Sequence, residues 1–128
     1  MMSRFILFVI YVIGLSASIH AGAGQYTVET VADRLDYPWS AAFLPGGDIL
    51  VTELSGNLRR ISDGNVGNPI ENVPPVFRLS QGGLFDVVLD PDFVSNQRLY
   101  LSYAAGDGDH KGTVVSQARL EGNKLVAV

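Results

Sequence analysis

The sequence lacks cysteine entirely. Disulfide bonds, thiolate metal sites and a cysteine nucleophile are therefore excluded. Histidine is nearly as scarce, because His20 and His110 are the only two in 128 residues. A Ser-His-Asp set would have to use His110, which has no matching motif nearby, and no phosphate-cradling Gly-Lys-Ser/Thr loop is present.

Charged residues are also few, at 17% of the chain, and 13 acidic residues outnumber 9 basic ones to give a net charge of -4. A nucleic-acid-binding protein usually presents a basic face. Here the basic residues are scattered, and the one adjacent pair, Arg59-Arg60, is typical of a solvated strand face. The composition therefore predicts no nucleic-acid partner, and the hydrophobic fraction of 47% is that of a globular domain.

The first 23 residues have the order of a secretory signal peptide. Arg4 precedes an apolar run over residues 5–15, and small residues follow up to Ala23. The run is shorter than the roughly 20 residues of a membrane-spanning helix, although an uncleaved anchor is the alternative. We predict a signal peptide at residues 1–23, cleaved after Ala23 or else after Ala21, and a mature domain at residues 24–128 that is periplasmic or secreted without stable membrane insertion.

Short β-prone runs separated by turn residues dominate the mature chain. The predicted strands cover residues 27–32, 41–44, 48–54, 58–62, 85–89, 98–104, 113–120 and 124–128. Residues 106–112 are predicted to form a polar loop that contains His110. No window of the mature chain has a sustained helical period. The pattern therefore predicts an all-β protein.

The second half of the chain repeats the first. Residues 43–45 correspond to residues 89–91 at an offset of 46, and residues 49–52 correspond to residues 99–102 at an offset of 50. A four-stranded unit recurring about every 40–50 residues is typical of a β-propeller blade. A single antiparallel sandwich of about eight strands is the alternative.

Two blades cannot close a ring, because each blade relies on its neighbours to cover its faces. The sequence also ends at Val128 within a predicted strand. We therefore expect the first two blades of an incomplete β-propeller, each an antiparallel four-stranded sheet.

Several strings carry a resemblance to a known family. The most specific is Gln81-Gly82-Gly83-Leu84-Phe85-Asp86-Val87, followed by Leu89-Asp90-Pro91-Asp92-Phe93; the others are residues 35–40, 43–47, 50–53 with Gly56, 73–76, 99–103 and 118–120. In this order and spacing they resemble the N-terminal part of the glucose/sorbosone dehydrogenase family, which includes soluble aldose sugar dehydrogenases. The resemblance extends over nearly the whole mature chain but covers only about the first third of a family member.

The resemblance implies a six-bladed β-propeller that oxidises sugars with pyrroloquinoline quinone (PQQ), with calcium assisting cofactor binding. It implies a sugar substrate, an external electron acceptor and a catalytic histidine that lies beyond Val128, so that no catalytic residue falls within this chain. We expect the isolated chain to bind PQQ weakly and to be inactive, because most of the cofactor-binding wall would be missing. The cofactor-binding residues and the oligomeric state are left open.

The resemblance assigns substrate binding to Gln81, Gly82 and Gly83. The family's glutamine at this position faces the active site, and an amide can both donate to and accept from a sugar hydroxyl. The two glycines allow close approach of the backbone or a positive φ. Ser80 stands where the family usually has glycine, so this loop is expected to be more restricted.

The remaining candidates are interpreted as structural. Asp90 and Asp92 are expected to form a turn, and Asp86 to bond a neighbouring strand, rather than to bind a metal. His110 is expected to be exposed. Tyr37 and Trp39 are expected to pack in the core at the start of the first blade, with a sugar-stacking surface as the alternative.

A non-catalytic binding or interaction module is the alternative function. A degraded gene or a partial gene model that makes no stable protein is a third interpretation. The residues encoded after Val128 distinguish these hypotheses.

Overall fold

The computed structural model describes residues 26–107 and 109–128, so the predicted signal peptide at residues 1–23 lies outside the described residues. The elements in chain order are β1 (Pro38–Phe43), β2 (Ile49–Glu53), β3 (Leu58–Ser62), β4 (Asn65–Val66), β5 (Leu84–Leu89), α1 (Phe93–Asn96), β6 (Arg98–Asp107), β7 (His110–Glu121) and β8 (Lys124–Val126). No helix in this part of the chain has the length and hydropathy needed to cross a bilayer.

The eight strands form two separate sheets in the orders β1-β2-β3-β4 and β5-β6-β7-β8. All of these pairs are antiparallel, and each strand pairs with the next one in sequence. A sandwich would exchange strands between sheets through Greek-key connections, whereas a propeller blade is a simple four-stranded meander. The prediction of two successive blades is confirmed, with β1 and β5 as neighbouring first strands.

The repeat seen in the sequence is a repeat of strand register. Phe43 pairs with Ile49 in the first sheet, and Leu89 pairs with Leu99 in the second. The offset between the sheets therefore grows from 46 at Phe43 and Leu89 to 50 at Ile49 and Leu99. The difference of 4 equals the length of α1, the single helical turn that only the second sheet contains.

A hydrophobic core lies between the two sheets. Alternate residues along β6, Leu99, Leu101 and Tyr103, are buried on one face, as the period of two predicts. The core also contains buried residues from the other strands and from the connections: Leu50, Leu58, Ile70, Leu84, Val87, Phe93, Ala118, Leu120 and Leu125.

Polar contacts join the two sheets at specific points. The Thr52 hydroxyl in β2 is fully buried and donates to the main-chain oxygen of Phe85 in β5. Arg60 in β3 donates from Nη2 to the main-chain oxygen of Gly122, at 2.9 Å, in the turn before β8. A hydroxyl buried without a partner would cost free energy, so these bonds favour one relative placement of the sheets.

Glu53 is a second fully buried polar residue. Its carboxylate accepts hydrogen bonds from the Asp36 main-chain N–H at 2.9 Å, from Asn57 Nδ2 at 2.9 Å and from Arg59 Nε at 3.2 Å. These three partners belong to the segment before β1, the β2–β3 turn and β3 itself. Glu53 therefore ties the N-terminal segment to the first sheet.

Two predictions about secondary structure are wrong. Residues 27–32 form no strand, because the described segment before β1 makes no ladder with either sheet. Residues 106–112 do not form an open loop, because β6 and β7 continue as a hairpin to the pair Asp107 and His110. The predicted strands also omit the short β4, in which Asn65 pairs with Ser62 and Val66 pairs with Ile61.

Candidate substrate-binding loop

The loop that contains Gln81 lies immediately before β5 and is closed on a single residue of β6. The N–H of Phe77 donates to the carbonyl of Ala104 at 2.7 Å, and the N–H of Ala104 donates to the carbonyl of Gly83 at 2.8 Å. Because β5 begins to pair with β6 only at Leu84 and Tyr103, Ala104 is free to hold both ends of the loop. Residues 78–82 therefore form a bridge of fixed span.

Gln81 occupies a tight turn at the centre of this bridge. The N–H of Gly82 donates to the carbonyl of Leu79 at 2.9 Å, which makes Ser80 and Gln81 the two central residues of a β-turn. Ser80 has a φ of 54°. A turn with positive φ at its first central residue is one in which glycine is favoured. The restriction predicted at this position therefore takes the form of a left-handed backbone conformation at Ser80.

Gly82 and Gly83 are required by the protein's own packing. A Cβ atom on Gly82 would lie 2.6 Å from the Phe77 oxygen, and one on Gly83 would lie 2.0 Å from the Leu54 oxygen. Both neighbours are main-chain atoms, which cannot easily move. The two glycines therefore allow close contact with other main-chain atoms of this protein. Their contact with a sugar stays a prediction.

The Gln81 side chain is exposed at the corner of the turn. Its amide can present both a donor and an acceptor to a ligand without first breaking up the fold. The loop holding it is bonded at both ends, so the position of Gln81 is defined by the main chain. A neutral amide on a defined turn can recognise a sugar hydroxyl.

Other connections meet the Gln81 loop at the same end of the two sheets. A Cβ on Gly56 in the β2–β3 turn would lie 2.9 Å from a methyl of Val76, just before the loop. The N–H of Leu54 donates to the carbonyl of Tyr37, just before β1. The candidate site is therefore the end of the sheets where β1 and β5 begin.

Tyr37 and Trp39 lie at this end and are exposed, with 71% and 51% of their surfaces accessible. The Trp39 ring contacts Phe85 at a centroid distance of 5.7 Å and a tilt of 51°. The expectation of core packing for these residues is wrong, because Trp39 meets the second sheet at its margin rather than between the sheets. An exposed aromatic surface near β5 is compatible with the alternative, stacking against a sugar.

The cationic groups near Gln81 are held by the protein. Arg78 donates from Nη1 to the carbonyls of Ser80 and Gly82 at 2.7 and 3.0 Å. Lys111 Nζ lies 4.6 Å from the centroid of the Phe77 ring, a cation–π distance. The sequence analysis did not predict the hydrogen bonds of Arg78 to this turn. The position of Arg78, three residues before Gln81, was the available indication that its side chain could reach the turn.

His110 is exposed, as predicted, but it is the first residue of β7 rather than part of a loop. A general base needs a group that orients it and protection from water. Its exposure at the tip of the hairpin provides no such protection. The residue fits an exposed hairpin position.

The aspartates after β5 form a structural turn. Asp90 Oδ1 accepts from the Asp92 N–H and from Asn96 Nδ2, both at 2.9 Å, and Oδ2 accepts from the Tyr100 hydroxyl at 3.1 Å. The hydrogen bond from Asn96, followed by that from Asp92, holds the pKa of Asp90 below its ordinary value. Asp86 bonds Ser102 on the neighbouring strand.

Calcium does not fit these aspartates. The Asp90 oxygens are already occupied by donors, and no group of three or more His, Asp or Glu side chains in the described residues could hold a metal ion. Calcium needs a larger set of oxygen ligands. The Asp90 carboxylate therefore stabilises the β5–β6 connection.

The described cavities lie away from Gln81. One of about 280 Å³ lies between the sheets at the opposite end, lined by Leu44, Pro45, Gly46, Asp48, Arg60, Phe93, Val94, Gln97 and Leu120. Another of about 280 Å³ lies beside β4 and includes Arg34 and Arg59. PQQ is an anionic polycarboxylate and needs cations that face it. Each arginine that lines these two cavities lies beside a carboxylate, Arg34 beside Asp33, Arg59 beside Glu53 and Arg60 beside Asp48, so neither cavity offers PQQ an excess of positive charge.

Comparison with known proteins identifies the relatives of this fold. The model of the glucose/sorbosone dehydrogenase family matches residues 35–128. An aldose sugar dehydrogenase of Escherichia coli strain K12 is 41% identical over 122 residues, which are 93% of this chain and 33% of the relative. The chain thus spans about a third of the length of that curated relative.

Solved structures agree with the sequence comparison. The apo-form of the soluble aldose sugar dehydrogenase from E. coli matches with a TM-score of 0.72 and 40% identity, over 77% of this chain and 30% of that one. The PQQ-bound aldose sugar dehydrogenase from Streptomyces coelicolor matches with a TM-score of 0.66 and 27% identity, over 76% of this chain and 28% of that one. The chain therefore belongs to the glucose/sorbosone dehydrogenase family.

Proposed function

We propose that this chain provides the first two blades of an exported dehydrogenase that oxidises the anomeric carbon of aldose sugars with PQQ. The observation that carries the proposal is Gln81, an exposed amide on a turn that is bonded at both ends to Ala104. Membership of a sugar dehydrogenase family supports the substrate class. The PQQ-bound relative supports the cofactor.

Gln81 binds the sugar in this proposal. Its amide nitrogen donates to one hydroxyl oxygen and its carbonyl accepts from another hydroxyl. The turn limits the freedom of Gln81 before the sugar arrives, which reduces the entropy lost on binding. Trp39, whose ring contacts Phe85 in β5, is the aromatic surface against which we propose that an apolar face of the sugar ring stacks.

The general base is assigned to chain encoded after Val128, as the family resemblance implies. Most of the cofactor-binding wall is expected there too, and the individual PQQ-binding residues stay open. Export follows from the predicted signal peptide at residues 1–23, which gives a periplasmic or secreted protein. Residues 24–128 alone are proposed to be inactive, because the family resemblance places the general base and most of the cofactor-binding wall after Val128.

Sugar-dependent reduction of a redox dye tests the proposed function. The complete gene product, with any residues encoded after Val128, is purified without cofactor and assayed with PQQ and a panel of aldoses. We expect dye reduction that requires both PQQ and a sugar. A well-folded complete protein that reduces no dye with any aldose would favour the alternative of a non-catalytic binding module.

The same assay with residues 24–128 tests the assignment of the missing machinery. We expect no sugar-dependent dye reduction when PQQ is supplied, with or without calcium. Turnover by this segment would contradict the placement of the general base after Val128.

A further inference from the structure

We propose that Arg78 is a positioning residue that fixes the turn carrying Gln81. The proposal rests on the proposed function, because the position of Gln81 matters only if its amide binds substrate. Arg78 itself is exposed and is assigned no contact with the sugar. Its effect is exerted through the main chain on both sides of Gln81.

The guanidinium group of Arg78 holds the two carbonyls that flank Gln81. Nη1 donates to the Ser80 oxygen at 2.7 Å and to the Gly82 oxygen at 3.0 Å. Hydrogen bonds from a charged donor are stronger than those between neutral groups. One nitrogen therefore links the peptide group that enters Gln81 to the Gly82–Gly83 peptide group.

The turn needs such a restraint because of Ser80. An L-residue other than glycine is disfavoured in the left-handed region that Ser80 occupies, at a φ of 54°. If the carbonyls of Ser80 and Gly82 were released, the chain could relax toward conformations with negative φ at Ser80. Such a change would rotate the peptide that enters Gln81 and displace its amide.

The ends of the loop do not provide this restraint. The hydrogen bonds between Ala104 and Phe77 or Gly83 fix where the loop begins and ends. They leave five residues between them, and the only main-chain bond described within that span is from Gly82 to Leu79. Arg78 adds the contacts closest to Gln81.

The test uses the complete gene product with Arg78→Gln, and Arg34→Gln as the matched control. Arg34 is also exposed, but it lies in the segment before β1 and bonds the Asp33 side chain rather than the main chain. Hydrogen exchange of the peptide over residues 79–83 reports the order of the turn, and kcat/KM for the preferred aldose reports its function. We expect Arg78→Gln to speed exchange in this peptide and to lower kcat/KM about tenfold, while Arg34→Gln changes neither.

A double variant separates positioning from direct contact. If Arg78 acts through Gln81, Arg78→Gln adds no loss of kcat/KM in the Gln81→Ala background. An equal loss in both backgrounds would overturn the proposal, since Arg78 would then act on a ligand by itself. Unchanged hydrogen exchange in Arg78→Gln would also overturn it.

Failure of the proposed function gives a different result. If wild-type protein oxidises no aldose, or if Gln81→Ala leaves kcat/KM unchanged, the sugar-binding role of Gln81 is lost. The exchange measurement decides the role of Arg78 in ordering the turn in either case, because it requires no turnover.

Discussion

At the scale of single residues, Gln81 is the side chain whose function follows most directly from its position. We expect Gln81→Ala in the complete protein to lower kcat/KM by one to two orders of magnitude, roughly 1.4–2.7 kcal/mol of transition-state binding. Steady-state kinetics with the preferred aldose measure this change. The control is Asn68→Ala, which removes an exposed amide in the connection after β4. Wild-type kinetics for Gln81→Ala would remove it from the site.

Glu53, in contrast to the exposed Gln81, is fully buried, and we expect it to contribute to the stability of the fold rather than to substrate binding. We expect Glu53→Gln to lower the free energy of unfolding by about 2–3 kcal/mol, since the introduced amide N–H₂ group cannot accept from Asn57 and Arg59. Glu121→Gln is the control, because Glu121 pairs with Arg119 on the surface and should change stability by less than about 0.5 kcal/mol. Denaturant unfolding compares the two, and equal effects would refute the burial argument.

Asp90 makes the free energy of unfolding depend on pH. Its folded-state pKa is lowered, mainly by the hydrogen bond from Asn96, so its contribution is present above the unfolded pKa near 3.8 and is lost as pH falls through the lower folded value. We expect wild type to be more stable than Asp90→Asn at neutral pH, and the difference to shrink below about pH 4. Unfolding curves at several pH values measure it. A constant difference would contradict the lowered pKa.

At the scale of elements, the β5 strand and the loop before it depend on Gly83. A Cβ there would overlap the Leu54 oxygen, so we expect Gly83→Ala to cost about 3 kcal/mol or more of folding free energy. Gly112→Ala in β7 is the control, since a Cβ there meets nothing within 4 Å. Thermal unfolding compares the variants. Equal stability of the two would show that the loop can shift away from Leu54.

The sequence was most informative about the strands and least informative about what joins them. Alternation along Leu99, Leu101 and Tyr103 predicts β6, because one buried face is a local property of a strand. The hairpin extension to Asp107 and His110 was missed, since polar and glycine residues resemble a loop unless cross-strand pairing is known.

The candidate site was predictable only in part, because contacts between segments that are distant in sequence cannot be read from the sequence alone. The string around Gln81 identified the loop, but its closure on Ala104 connects residues more than 20 positions apart in sequence. The exposure of Trp39 was also missed, because an aromatic residue beside a strand usually packs in a core. Only the placement of one sheet against the other decides that exposure.

At the scale of the whole molecule, the outer face of the second sheet carries exposed apolar residues. Val88 and Val115 are 57% and 66% accessible and lie on the face of the sheet opposite Leu99 and Leu101. Neighbouring blades of a propeller cover such faces. A third blade in the complete protein would therefore bury Val88.

Substitution of Val88 tests this expectation. We expect Val88→Asp to destabilise the complete protein by about 2–3 kcal/mol, because a carboxylate would enter the interface between blades. Val94→Asp is the control, since Val94 is also exposed but lies on α1, away from the sheet face. Denaturant unfolding of both variants measures the difference. An equally small effect at both positions would mean that no blade covers this face.

The closure of the Gln81 loop on Ala104 has a consequence for how related chains can vary in length. Surface loops usually tolerate insertions. Here an added residue between Phe77 and Gly83 would break one of the two hydrogen bonds to Ala104 or move the turn. Insertions and deletions should therefore be rare at this loop and concentrate in turns at the opposite end of the sheets, such as the β1–β2 turn at Gly46 and Gly47, which is also the better place to graft a tag or a new recognition segment.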